Sequence, residues 1–151
     1  MKSISILFLL FTVAFSAQTD SKIYDIIEAV SAERIKSDVK TLTEFGTRNT
    51  FSDTISNTQG IGAARRWIKS EFETISKACD NCMEVFYQKD FVTKKENIRV
   101  PHDAWIVNVL AVQKGTKYPN RYVIMSGDID SRASDTMDFT TDAPGANDNA
   151  S

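Results

Sequence analysis

The stretch that most constrains the fold is "AWIVNVLAVQKG", from Ala104 to Gly115. It is an almost unbroken apolar run of strand-forming residues, the pattern of a β-strand covered on both faces rather than wetted on one. A strand of that kind needs a layer above it and a layer below. The preceding run "MEVFYQKDFV" (Met83–Val92) alternates apolar and polar positions and is rich in aromatic and β-branched residues, so it reads as a half-buried strand. Between the two lies the polar connection "TKKENIRVPHD", through which they can pair as antiparallel neighbours. After the turn "TKYPN", the run "RYVIMSG" (Arg121–Gly127) predicts a third, short, buried strand.

Upstream the apolar period is helical. Asp20 and Ser21 can cap a short helix that carries Ile23, Ile27 and Val30 on one face. In "SAERIKSDVKTLTEFG", Ser31 is placed to cap, Glu33 complements the dipole of the first turn, and Ile35, Val39, Leu42 and Phe45 form one stripe. Gly46 stands where a helix ends in a left-handed residue. "TRNTFSDTISNTQG" (Thr47–Gly60) is polar and turn-rich, hence a loop. From about Thr58 to Lys77 a further helix puts Ile61, Ala64, Ile68, Phe72 and Ile75 on one side, with Trp67 beside them, and Arg65, Arg66, Lys69 and Glu73 on the wet side. Two to three helices followed by three strands give an α/β class, with a sheet between helical layers.

The N-terminus stands apart. Lys2, the apolar "ISILFLLFTVAF" (Ile4–Phe15) and the small residues Ala14, Ser16 and Ala17 form the three parts of a secretory signal peptide spanning residues 1–17. That apolar core is too short for a bilayer, which takes roughly 20 residues. The expectation is a secreted or periplasmic protein with no membrane attachment after cleavage, and one domain over 18–151. With 18 basic against 20 acidic residues, and no basic run, the chain has no nucleic-acid footprint. Its two cysteines, Cys79 and Cys82 in "ACDNCMEV", favour a small local disulfide over free thiols in an exported chain. A structural zinc site would lack two ligands.

Six aspartates lie between Asp128 and Asp148, just beyond the third apolar run. In open α/β sheets ligands bind past the carboxyl ends of strands, so this is where a site is expected. Asp135, Asp138 and Asp142 sit among Ser, Thr and Gly and read as solvated turn residues; Asp128, Asp130 and Asp148 have tighter contexts. An EF-hand starting at Asp128 is excluded, because its sixth position would be Ala133 and its twelfth Phe139. An aspartate-nucleophile phosphohydrolase would use Asp128 for attack and Asp130 as acid. It fits less well, since Arg132 stands where its motif has Thr or Val and Ser126–Gly127 interrupt the apolar approach.

"SGDIDSR" (Ser126–Arg132) followed by "APGANDNAS" (Ala143–Ser151) resembles the exported bimetallic zinc aminopeptidase family, which has glutamate-carboxypeptidase-like and glutaminyl-cyclase-like members. There a strand ends in G-H-x-D-S and a P-G-A-x-D-[DN]-[AG]-S segment follows. "LTEFGTRNT" (Leu42–Thr50) and "GAARRWIKSEFE" (Gly62–Glu73) are similar to its N-terminal helices, so the likeness spans nearly the whole mature chain. The resemblance implies the N-terminal half of a mixed-sheet, three-layer α/β/α metallopeptidase fold and a peptide substrate cut by a metal-activated water. It makes Asp128 and Asp148 metal ligands, Asp148 bridging two divalent ions. It gives Asp130 the catalytic part of orienting the Asp128 ligand and raising its basicity. It also implies a cis Asp148–Asn149 peptide bond.

This sequence departs from that pattern at one ligand: Asp128 stands where the family has a histidine. A carboxylate still binds zinc, but the added charge and hardness favour Mn²⁺ or another hard cation more than imidazole does. His102, the only histidine, matches no family ligand and reads as structural or exposed. The family's downstream Glu base, further acidic ligand and final His have no counterpart here. The resemblance therefore implies the N-terminal part of a longer protein, inactive alone. A non-catalytic relative that keeps the fold as a binding module is the alternative, with loss of the histidine as its first sign. "NAS" (Asn149–Ser151) matches a glycosylation triplet by coincidence, and "GTR" (Gly46–Arg48) is family-like with no physical role evident for Arg48.

Overall fold

The computed structural model describes residues 20–95 and 98–147. The signal-peptide stretch, Asp148, the Asp148–Asn149 bond and the "NAS" triplet lie outside the described residues. The chain divides into two compact units, Met1–Glu33 and Arg34–Ser151. In the first, helix α1 (Ser21–Glu28) begins where Asp20 accepts the backbone N–H of Lys22 at 3.0 Å. Its Ile23, Ile26 and Ile27 are exposed.

Helix α2 (Ala32–Glu44) starts directly after Ser31 and ends as its sequence predicts, with Gly46 at φ +66°. Helix α3 (Gly60–Ala78) takes an unusual cap. Gln59 at its N-cap makes no side-chain bond, and Ser52 Oγ, arriving from the preceding loop, accepts the N–H of Ile61 at 2.9 Å instead. The loop is pressed so closely on this helix start that a Cβ on Gly60 would lie 2.3 Å from the carbonyl oxygen of Asp53, and one on Gly62 2.3 Å from that of Thr54. Only glycine fits at either position. Leu42 of α2 and Ala64 of α3 form the buried centre of the second unit, packed by Val39, Phe45, Trp67 and Ile68.

At the other end of α3 the chain reverses through Asp80 and Asn81, both in the left-handed region, inside the Cys79–Cys82 disulfide. Ser76 Oγ donates to the carbonyl of Met83 at 2.9 Å and accepts its N–H at 3.1 Å, fixing the start of the sheet against the helix. Strands β1 (Glu84–Val92) and β2 (Ala104–Val112) pair antiparallel, from Glu84 opposite Val112 to Val92 opposite Ala104. Helix α3 packs on both.

Two sequence expectations are corrected. Arg121–Gly127 is not a third strand: it has no regular structure and no ladder partner, and Tyr122, Val123, Ile124 and Met125 are 82–94% exposed. Nor is β2 covered on both faces, since Asn108 and Val112, which share one face, are exposed. Both follow from one cause. An apolar run records which side chains gain from burial, but a strand forms only where another backbone supplies hydrogen bonds. Among the described residues β1 is the one partner of β2, so the sheet is two-stranded and the three-layer arrangement is not formed.

Candidate functional site

The site is organised by a residue the sequence left without a role. Arg48 is wholly buried, at 0% exposure. A buried guanidinium is tolerated only when its donors are satisfied, and here four of them reach backbone carbonyls. Nε donates to Ile129 at 2.8 Å, Nη1 to Leu42 at 2.7 Å and to Pro144 at 2.6 Å, and Nη2 reaches Gly145 at 3.5 Å. Its backbone N–H donates to Ser131 Oγ at 2.9 Å, and that hydroxyl donates onward to the carbonyl of Ala143. Burial pulls the guanidinium below the usual arginine value, and the charge of Asp130 opposes this.

The local sequence explains how Arg48 gets there. Gly46 turns the chain sharply out of α2, which brings Arg48 back beneath the last turn of that helix to the carbonyl of Leu42, whose other donor is the N–H of Phe45 at 3.4 Å. Gly145, at φ +56° after Pro144, makes a turn that presents its carbonyl and that of Pro144 to the same guanidinium. One side chain therefore holds three segments together: the end of α2, Ile129–Ser131 and Ala143–Gly145. The last two belong to the stretches that the sequence singled out, Ser126–Arg132 and Ala143–Ser151.

Asp128 is exposed and Asp130 half-buried. Both line a cleft of about 510 Å³ between the 124–130 segment, α3 and β2, whose floor includes Ile68, Phe72 and Val109. Asp130 is electrostatically coupled to Arg48. The third expected residue, Asp148, lies just past the described Ala143–Asn147 segment. The turn reading of the other aspartates holds for two of them. Asp135 accepts the N–H of Met137 at 2.9 Å, and Asp138 accepts the N–H groups of Thr140 and Thr141 at 2.9 Å each. The Thr141 and Thr140 bonds hold the Asp138 carboxyl well below the usual carboxylate range. Asp142 lies over Gly46, where a Cβ would meet its Oδ1 at 3.3 Å.

His102 is a packing residue with an exposed edge. Its ring stands edge-on to Phe51 and Phe139, with centroids 5.6 and 5.8 Å away. Among the described residues no three His, Cys, Asp or Glu side chains are grouped to hold a metal ion. Asp128 and Asp130 are hard oxygen donors of the right chemistry, but two carboxylates fall short of the four ligands of a closed zinc site. The described residues thus do not by themselves make up a metal centre.

No family model matches the chain, and no solved structure matches it. Curated proteins do. Over 132 residues it is 40% identical to a probable zinc metalloprotease of Leptosphaeria maculans, a match covering 87% of this chain and 30% of that protein. A probable zinc metalloprotease of Pyrenophora teres f. teres is also 40% identical, with 87% and 27% covered. One from Pyricularia oryzae is 39% identical, with 87% and 26% covered. The homologues of this chain are thus probable zinc metalloproteases, and the chain spans less than a third of their length.

Proposed function

We propose that this protein serves as a secreted, metal-dependent exopeptidase of the aminopeptidase-like kind, and that this chain supplies part of its two-metal site. The homologues support the metal-dependent protease part of the reading. The observation that carries it further is the Arg48–Ser131 clasp, which holds Ile129–Ser131 against Ala143–Gly145. Ser131 and Ala143, 12 positions apart, are thereby held together, an arrangement that supports a shared cation site.

In this reading Asp128 and Asp148 hold the metal ions, and Asp130 orients Asp128 while its charge is balanced by Arg48. When bound, the metal would supply a water acidic enough to serve as nucleophile near neutral pH and would polarise the scissile carbonyl. The chain's own part is to fix the backbone on either side of these carboxylates through the Arg48 and Ser131 bonds, so that it does not have to reorganise when cations or substrate arrive.

The test is zinc and manganese content by mass spectrometry, together with metal-dependent release of a chromogenic amine from amino-acid amides by the complete gene product. Asp128→Asn and Asp148→Asn should each lower metal content and abolish release. Unchanged metal content in both variants would refute the assignment. The second reading, a non-catalytic binding module, is favoured by one observation: the single histidine is committed to Phe51 and Phe139. Metal content without amide hydrolysis would select it.

A further inference from the structure

A second arginine is buried without the partners that Arg48 has. Arg65, in the second turn of α3, was expected on the wet side of that helix and is instead buried, at 7% exposure, because the Thr50–Thr54 loop and the sheet close over it. Its Nε is the one buried side-chain nitrogen or oxygen among the described residues with no hydrogen-bond partner. Leaving a buried charged donor unpaired is strongly unfavourable, so the side chain is suited to something that arrives from outside. Arg65 lines a cavity of about 460 Å³ bounded by the Thr50–Thr54 loop, the start of α3 and the inner face of β1 and β2.

The walls of that cavity describe a ligand. Its charge is positive: Arg65, Arg66 and Lys89 line it against the single carboxylate of Asp103. Arg66 is already occupied by the carbonyls of Thr54, Ile55 and Ser56. Lys89 lies 5.9 Å from the centre of the Tyr87 ring. Arg65 is the cation left to form a paired contact. Phe51, Tyr87, Trp105 and Val107 supply an apolar wall beside it.

We propose that this cavity is a binding site for an organic monocarboxylate, with the Arg65 guanidinium as principal donor and the aromatic wall receiving the ligand's apolar body. A guanidinium matches a carboxylate in a two-point fork. The apolar wall would be idle against inorganic phosphate, and the Asp103 carboxylate disfavours a dianion. The inference does not depend on any metal.

The test uses the full chain in the presence of EDTA, so that its outcome is separate from that of the metal reading. Titration calorimetry with benzoate should show saturable binding. Benzamide, of nearly the same shape without the charge, should bind at least about tenfold more weakly, and inorganic phosphate should not compete. Arg65→Met should lose at least about tenfold in benzoate affinity, while Lys36→Met, on α2, leaves it unchanged. Arg65→Met should also unfold at or above the wild-type midpoint, because an apolar side chain replaces an unpaired buried ion, and benzoate should raise the midpoint of wild type alone. Equal binding of benzamide, displacement by phosphate, benzoate affinity retained in Arg65→Met, or a lowered midpoint for that variant would each overturn the proposal.

Discussion

The Ser131 hydroxyl accepts the backbone N–H of Arg48 at 2.9 Å and donates to the carbonyl of Ala143, so a single oxygen joins the loop after α2 to both acidic segments. Ser131 is itself buried. Replacing it with alanine leaves one donor and one acceptor unpaired in a dry place. Ser131→Ala should cost about 1–3 kcal/mol in urea unfolding. Amide exchange should quicken around residues 129–131 and 143–145 while the middle of α3 is unaffected.

Arg48 carries more of the same network, and its loss should be worse. Arg48→Met strips partners from the carbonyls of Leu42, Ile129, Pro144 and Gly145 together. Leu42 keeps the N–H of Phe45, so three part-buried acceptors lose their partner, and at about 1 kcal/mol each a loss of about 3 kcal/mol is expected. Arg48→Lys restores the charge but not the planar fork, and should recover less than half of that loss. Chemical denaturation of the three proteins checks the order.

Much of this molecule could be read from its sequence. The three helices and β1 follow from apolar period, because side chains at fixed spacing share a face whatever packs against them, and β2 from its unbroken run of strand-forming residues. Gly46 at the end of α2 and the Cys79–Cys82 bridge were legible for equally local reasons. The role of Arg48 was not. Its partners are backbone carbonyls, which every residue possesses, so no partner residue type marks them. The one available signal was a charged residue two places after a helix-ending glycine. The third strand failed differently: "RYVIMSG" reports what its side chains prefer and says nothing of which backbone could pair with it.

The Cys79–Cys82 bridge closes a short loop, with a sequence separation of 3. Chain-entropy reasoning gives a loop that small a contribution of about 2 kcal/mol. The double variant Cys79→Ser, Cys82→Ser should unfold at correspondingly lower urea concentration. Reductant should lower the wild-type midpoint and leave the variant's unchanged.

Asp138 provides a test in acid. Thr141 and Thr140 hold its carboxyl below the ordinary value of 3.8, so the folded chain binds this proton less readily than the unfolded chain does. The stability it contributes is complete above that ordinary value and is lost as pH falls toward the depressed one. Carboxyl NMR should find Asp138 titrating below the ordinary aspartate value. Asp138→Asn should flatten part of the fall in stability below pH 4 or so without altering it near neutrality.

The acceptors that surround the Arg48 side chain stand 81, 96 and 97 positions further along, apart from the one supplied by Leu42. During synthesis the guanidinium leaves the ribosome long before they do. Until Gly145 has emerged it must stay hydrated, and the loop after α2 must remain open beside a helix that is already able to form. Closure at this point is therefore a late event of long sequence separation, slow to find compared with the helices it completes.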